Sequence, residues 1–292
     1  MAGFQHFLAI DWSGAAGERH AGIALALADA DGGPPVLVER GRKWSRGEVL
    51  AILRDLPSNT LVGMDLGIAL PFADCGGYFP GLADGPVDAK ALWAMIDARC
   101  GEDAHFGATA FTEDLKFAPY FRRHGGREGA AFRCDGAQHG RGRFRVTERR
   151  QAAMGLKPYS NFNLVGAAQV GKSSLTGMRV LHALGSAVPV WPIDPLPASG
   201  SVICEIYTSL AALEAGRSAS RAKIRDREAL DEALAALGSP GLGGSGPIDD
   251  HSSDALLTAA WLRKVANEPQ RWHPPDLTPH IARTEGWTFG VI

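Results

Sequence analysis

Residues 60–72 read TLVGMDLGIALPF, an apolar run broken by a single carboxylate, Asp65. Strands buried on both faces have this near-continuous hydrophobic character. A charge inside such a run is costly unless it is paired or bound to a cation. The element before it, SRGEVLAILRDL at 45–56, reads as a helix. Ser45 and Glu48 form an S-x-x-E capping box, and Val49, Ile52, Leu53 and Leu56 fall on one helical face. Upstream lie three further stretches: HFLAIDWSG at 6–14, HAGIALALA at 20–28 and PPVLVERGRKW at 34–44. Gly- and Asp-rich turns separate them, as in an antiparallel meander. The first 66 residues therefore predict β-β-β-α-β.

Beyond residue 70 the regular pattern is lost until about residue 160, apart from a helical stretch at 87–100. It returns with FNLV (162–165), a helix at 173–184, strands at 187–193 and 201–210, and a charged helix at 220–237. After the glycine-rich run GSPGLGGSGP (238–247) comes a last helix, DDHSSDALLTAAWLRKVAN (249–267), and the tail TEGWTFGVI is expected to add a final strand. A chain of 292 residues with 45% hydrophobic and 21% charged residues has ample material for one sizeable core. We read it as a single α/β domain, residues 1–292, carrying an insertion at 70–160.

Composition also bounds function. The net charge of −2 commits the whole molecule to neither nucleic acid nor membrane. The start MAGFQHFLAIDWSG lacks the basic onset and cleavage site of a signal peptide, and the apolar run at 23–28 is far too short to cross a bilayer. A cytoplasmic protein without a membrane partner is expected, its oligomeric state left open. Cys75, Cys100, Cys134 and Cys204 are widely scattered, so reduced, mostly buried thiols are expected rather than a disulfide or zinc framework.

The acids carry the chemistry. Asp11 ends the first strand, Asp65 lies in the fourth, Glu205 sits in the apolar ICEIY, and Asp250, His251 and Asp254 open the last helix. Several carboxylates in otherwise apolar strands predict convergence on a cation site, and hard ions such as Mg²⁺ or Mn²⁺ take oxygen ligands. Two such ions about 4 Å apart would serve phosphodiester cleavage. Asp11, Asp65 and Asp254 are the expected metal ligands, with Glu205 and Asp250 as further candidates. His251, at i and i+3 with Asp254, would orient water or carry a proton. Each also has a structural explanation: Asx turns for Asp11 and Asp65, an N-cap for Asp249 or Asp250, and a buried ion pair for Glu205.

Residues 116–150 hold ten basic residues against three acidic ones, net +7, leaving −9 for the rest of the chain. With six glycines and Phe117, Tyr120, Phe121, Phe132 and Phe144 interleaved, the segment suits backbone contact and base stacking on DNA or RNA. Arg141, Arg143 and Arg145 are its candidate contacts, and the plain alternative is a solvated loop whose arginines pair with the acidic remainder. GAAQVGKS at 166–173 matches the Walker A pattern, but it comes after at least four strands, and its Walker B candidate VPVWPID contains two prolines. We read it as a strand-turn-helix, with Lys172 kept as a candidate phosphate contact.

Three antiparallel strands, a helix, then parallel strands and a terminal helix resemble the ribonuclease-H-like order, whose acids occupy the positions held here by Asp11, Asp65 and Asp254. HSSDALLTAA resembles the H-x-x-D-A-L helix of Holliday-junction resolvases. The chain is also similar to an uncharacterised bacterial family of predicted nucleases with that fold, in AIDWSG, GMDLGIALPF, LVGAAQVGKSSLTGMRVL, VWPID, CEIYTS, DDHSSDAL and TEGWTFGV. The resemblance runs from about residue 7 to the C-terminus and is weakest at 75–140. It implies a mixed sheet flanked by helices with a large insertion after the fourth strand, and a metal-dependent nuclease. Two rival readings are an actin/hexokinase-like ATP-binding phosphotransferase, faintly suggested by DWSG and DLG, and a non-catalytic binding protein that keeps the fold.

Overall fold

A computed structural model describes residues 3–134, 141–166, 169–217 and 223–292. Its main sheet has six strands: β1 (His6–Asp11), β2 (Ala24–Asp29), β3 (Val36–Leu37), β4 (Thr60–Met64), β5 (Val190–Trp191) and β6 (Val202–Glu205). Their spatial order is β3-β2-β1-β4-β6-β5. β2 runs antiparallel to β1 and to β3, while β1, β4, β6 and β5 pair in parallel. The principal helices are α1 (Arg46–Arg54), α2 (Ala89–Arg99), α3 (Val146–Ala153), α4 (Val170–Leu184), α5 (Thr208–Glu214), α6 (Arg227–Ala236) and α7 (Asp250–Val265).

The period-2 alternation of the strands sorts the core into two layers. Leu8, Ile10, Val62, Met64 and Ile203 face one layer with α1, α2, α4 and the insertion. Phe7, Ala9, Leu61, Val202 and Cys204 face the other with α5, α6, α7 and the C-terminal segment. The capping box starts α1 as the sequence predicts: Ser45 accepts from the Glu48 amide and Glu48 accepts from the Ser45 amide.

Several expectations are corrected. Of the long third stretch only Val36–Leu37 joins the sheet, while Trp44–Ser45 pairs instead with Arg19–His20. The C-terminal tail adds no strand, only one bridge from Thr288 to Glu205, and FNLV only one from Asn163 to Arg122. Their apolar residues are consumed by packing rather than by ladder pairing. The charged helix begins at Arg227, and residues 220–222 of its predicted start lie outside the described residues.

Among the described residues several of the insertion's arginines pair with acids, as the plain alternative has it, but the aromatic residues of its basic segment are not solvated. Phe117, Tyr120, Phe121, Phe132 and Phe144 are all buried, and four of them complete the first core layer. Cys75 and Cys134 are joined as a disulfide, against the expectation of free thiols. Distance along the chain says nothing about distance in space once the insertion folds back. Cys100 and Cys204 remain free and buried. Among the described residues no helix is long and apolar enough to cross a membrane.

Candidate functional site

Asp11 and Asp65 meet because the register of two parallel strands brings them together. Ile10 pairs with Met64, so the next residue on each chain is an aspartate, on strands spaced roughly 4.8 Å apart. The Asp65 amide donates to the Ile10 carbonyl at 2.9 Å, which carries the pairing one residue past β4. Asp11 continues the alternation of Phe7 and Ala9, so it points into the layer that α7 covers.

Gly63 lets α7 approach. A Cβ there would meet Ile206 at 2.7 Å and Leu262 at 2.9 Å. Leu262 and Asp254 are eight residues apart on α7, about two turns, so both lie on the side facing the sheet. The lone glycine in an apolar strand was the available signal for this close approach.

The carboxylates act on one another through their charges. Burial, then the charges of Asp11, Asp254 and Glu205, raise the Asp65 carboxyl well above its ordinary value. Burial and Asp11 push Asp254 up to about 7. Asp11 is 7% exposed and is raised by burial, against the opposing pull of His251. His251 Nδ1 lies 2.6 Å from Asp11 Oδ2, and that hydrogen bond raises the imidazole. With Asp11 ionised, Nδ1–H donates and Nε2 is left to accept a proton. The three aspartates do not lie within 4.8 Å of one another as a set. Among the described residues the one trio of this kind that does is Asp74, Cys75 and Cys134, whose thiols are joined.

Other candidates fall elsewhere. Asp249 is the N-cap of α7, accepting from the Ser252 amide at 3.0 Å. Asp250 points instead to Arg225 and Lys223, at 2.8 and 2.9 Å, which hold its carboxyl at about 2. Glu205 pairs in register with Met64, not with Gly63. Arg145 grips it through both terminal nitrogens, at 2.5 and 2.7 Å, and the Ile68 amide donates to it at 2.8 Å. Arg145 also pairs with Glu148 at 2.5 Å. Arg145 thus already neutralises both acids, and Glu205, Glu148 and Arg145 line the same cleft as Asp65 and His251.

Arg145 is thereby held by buried acids rather than free at the surface, and Arg143 is held likewise. Arg143 is wholly buried, bidentate on Asp74 and donating to the carbonyls of Pro71, Gly77 and Tyr78. Burying these guanidiniums is tolerable only because every donor finds an acceptor. Arg141 does reach the surface, beside Tyr159. Lys172 is exposed and lines surface pockets other than the one Asp65 lines, and the amides at the start of α4 are already used. Gly171 donates to Asn163 O, and Lys172 and Ser173 donate to Gln169 O. Ala167 and Ala168 of the Walker-like stretch lie outside the described residues.

A cleft of about 410 Å³ opens beside the acids. Asp65 and His251 line it, with Trp12, Tyr159, Tyr207 and Gln169 among its other walls. Compared with known proteins, the chain matches no family model, no curated protein and no solved structure.

Proposed function

We propose that this chain is a ribonuclease-H-like phosphodiesterase dependent on Mg²⁺ or Mn²⁺. The carrying observation is the placement of Asp11 and Asp65 side by side at the ends of β1 and β4, under the helix that bears Asp254. The strand order and the antiparallel-then-parallel pairing support the fold assignment. The donor set fits a hard cation. It offers carboxylate oxygens whose mutual repulsion is relieved only in part by His251, and a divalent ion would relieve the rest.

Asp11, Asp65 and Asp254 would hold the ion, drawing closer to do so, with water completing its shell. When bound, the ion would stabilise charge on the phosphoryl oxygens and make water a better nucleophile. His251, fixed by Asp11, would take the proton from the attacking water. The water oxygen would form a bond to phosphorus, the bridging ester bond would break, and the leaving alkoxide would take its proton from solvent.

The test is a pair of measurements on wild type and Asp11→Asn. Mn²⁺ at about 100 times its dissociation constant should stabilise wild type by roughly 2.7 kcal/mol. Asp11→Asn should lose that stabilisation together with hydrolysis of a single-stranded oligonucleotide. A wild-type melt indifferent to Mn²⁺, or a variant that hydrolyses as well as wild type, overturns the reading.

A further inference from the structure

Five of the arginines that would track a nucleic-acid backbone are paired with acids, while Arg141 reaches the surface. Arg123, Arg133 and Arg150 face Glu113, Glu128 and Asp276, while Arg143 and Arg145 are buried on acids. Long strands are held by many cation–phosphate contacts along a groove, and these residues offer no such row.

What the surface offers is one aromatic wall. Tyr159 is 41% exposed and lines the cleft. The Arg141 guanidinium lies 5.2 Å from its ring centroid and donates to the Pro158 carbonyl, which braces the ring. Tyr207 and Asp65 line the same cleft as Tyr159, so the aromatic wall and Asp65 belong to one cavity. Gln169, Ser13 and Ser173 add amide and hydroxyl groups along it. At about 410 Å³ the cleft falls in the roughly 300–1,000 Å³ range of small-ligand pockets.

We propose that the cleft takes a single nucleotide unit, its base stacked on Tyr159 and its phosphate directed to Asp65. The unit is either a free nucleotide or the unpaired end of a strand. Duplex lying across the surface is not the ligand. This rests on the phosphodiesterase reading for the phosphate end and on the aromatic wall for the base end.

Calorimetric titration tests it, with AMP as probe and ribose 5-phosphate as the base-less control, both in Mg²⁺. AMP should bind wild type and Tyr159→Phe alike. Ribose 5-phosphate, and AMP on Tyr159→Ala, should each bind roughly tenfold more weakly, the scale of one base–aromatic stack. Equal affinity for AMP and ribose 5-phosphate, or an unchanged Tyr159→Ala, overturns the proposal. Displacement of AMP by a single-stranded oligonucleotide assigns the pocket to strand ends, and failure of any oligonucleotide to displace it assigns free nucleotides. Displacement by blunt duplex as effective as by single strand also overturns it. Base-dependent AMP binding in a protein that shows no Mn²⁺ response or hydrolysis would leave this inference standing while the phosphodiesterase reading fell.

Discussion

Replacing Asp254 by asparagine should stabilise the metal-free protein, and only above about pH 5. Burial and the neighbouring Asp11 raise the Asp254 carboxyl from 3.8 to about 7. The folded state thus binds this proton more tightly than the unfolded chain does. Its favourable contribution is complete below the unfolded value, declines as pH rises, and is gone above the folded value of about 7. Each tenfold in proton affinity corresponds to about 1.4 kcal/mol, so the ceiling is about 4 kcal/mol. Asparagine keeps the shape and removes the charge, but an imperfectly bonded amide gives back about 1–2 kcal/mol. A net gain of about 2 kcal/mol at pH 8 is expected, or about 4 °C in melting temperature for a chain of this size. The assay is urea denaturation in EDTA at half-unit steps from pH 4 to 8.5. The variant should be about 1–2 kcal/mol less stable at pH 4, and the two curves should cross near about pH 5 and separate in the variant's favour through neutrality. Parallel curves, or a variant less stable at pH 8, would refute the claim that Asp254 carries an uncompensated charge. Adding Mn²⁺ should then reverse the order, because only wild type retains the full set of carboxylates.

Two further outcomes follow from the same charges. Arg145→Met strips the partner from Glu148 and Glu205, both buried, and should cost about 3–5 kcal/mol in urea denaturation; a loss under 1 kcal/mol would mean the cluster is not a buried ion network. The His251 imidazole, raised chiefly by its hydrogen bond to Asp11, contributes stability below its unfolded value of 6.5 that is lost as pH climbs through the higher folded value. Asp11→Asn should move its titration midpoint down in proton NMR, and an unmoved midpoint would dissociate the pair.

The insertion shows how far composition can be read. Its surplus of arginine and its aromatic residues are plain in the sequence, and they suggested a nucleic-acid surface. Folding uses most of them otherwise: the rings fill a core layer, and Arg143 and Arg145 neutralise buried acids and carbonyls. Charge is a sum over residues, whereas exposure depends on which partners the tertiary fold supplies.

The local features were legible from the residues alone. The capping box at Ser45 and Glu48 acts between residues three apart, and the apolar run at 60–64 needs no distant partner to be recognised as a central strand. Asp11 and Asp65 stood out for the same reason, as carboxylates ending apolar strands. Glu205 looked the same and is not the same. Its fate depends on β6 pairing Cys204 with Gly63 and itself with Met64, which turns its side chain onto Arg145, 60 residues away, at the wall of the cleft that Asp65 also lines. A strand's alternation is written in its own residues. Which face meets which neighbour is set by register, and register is decided only when non-local strands pair and their covering helices pack.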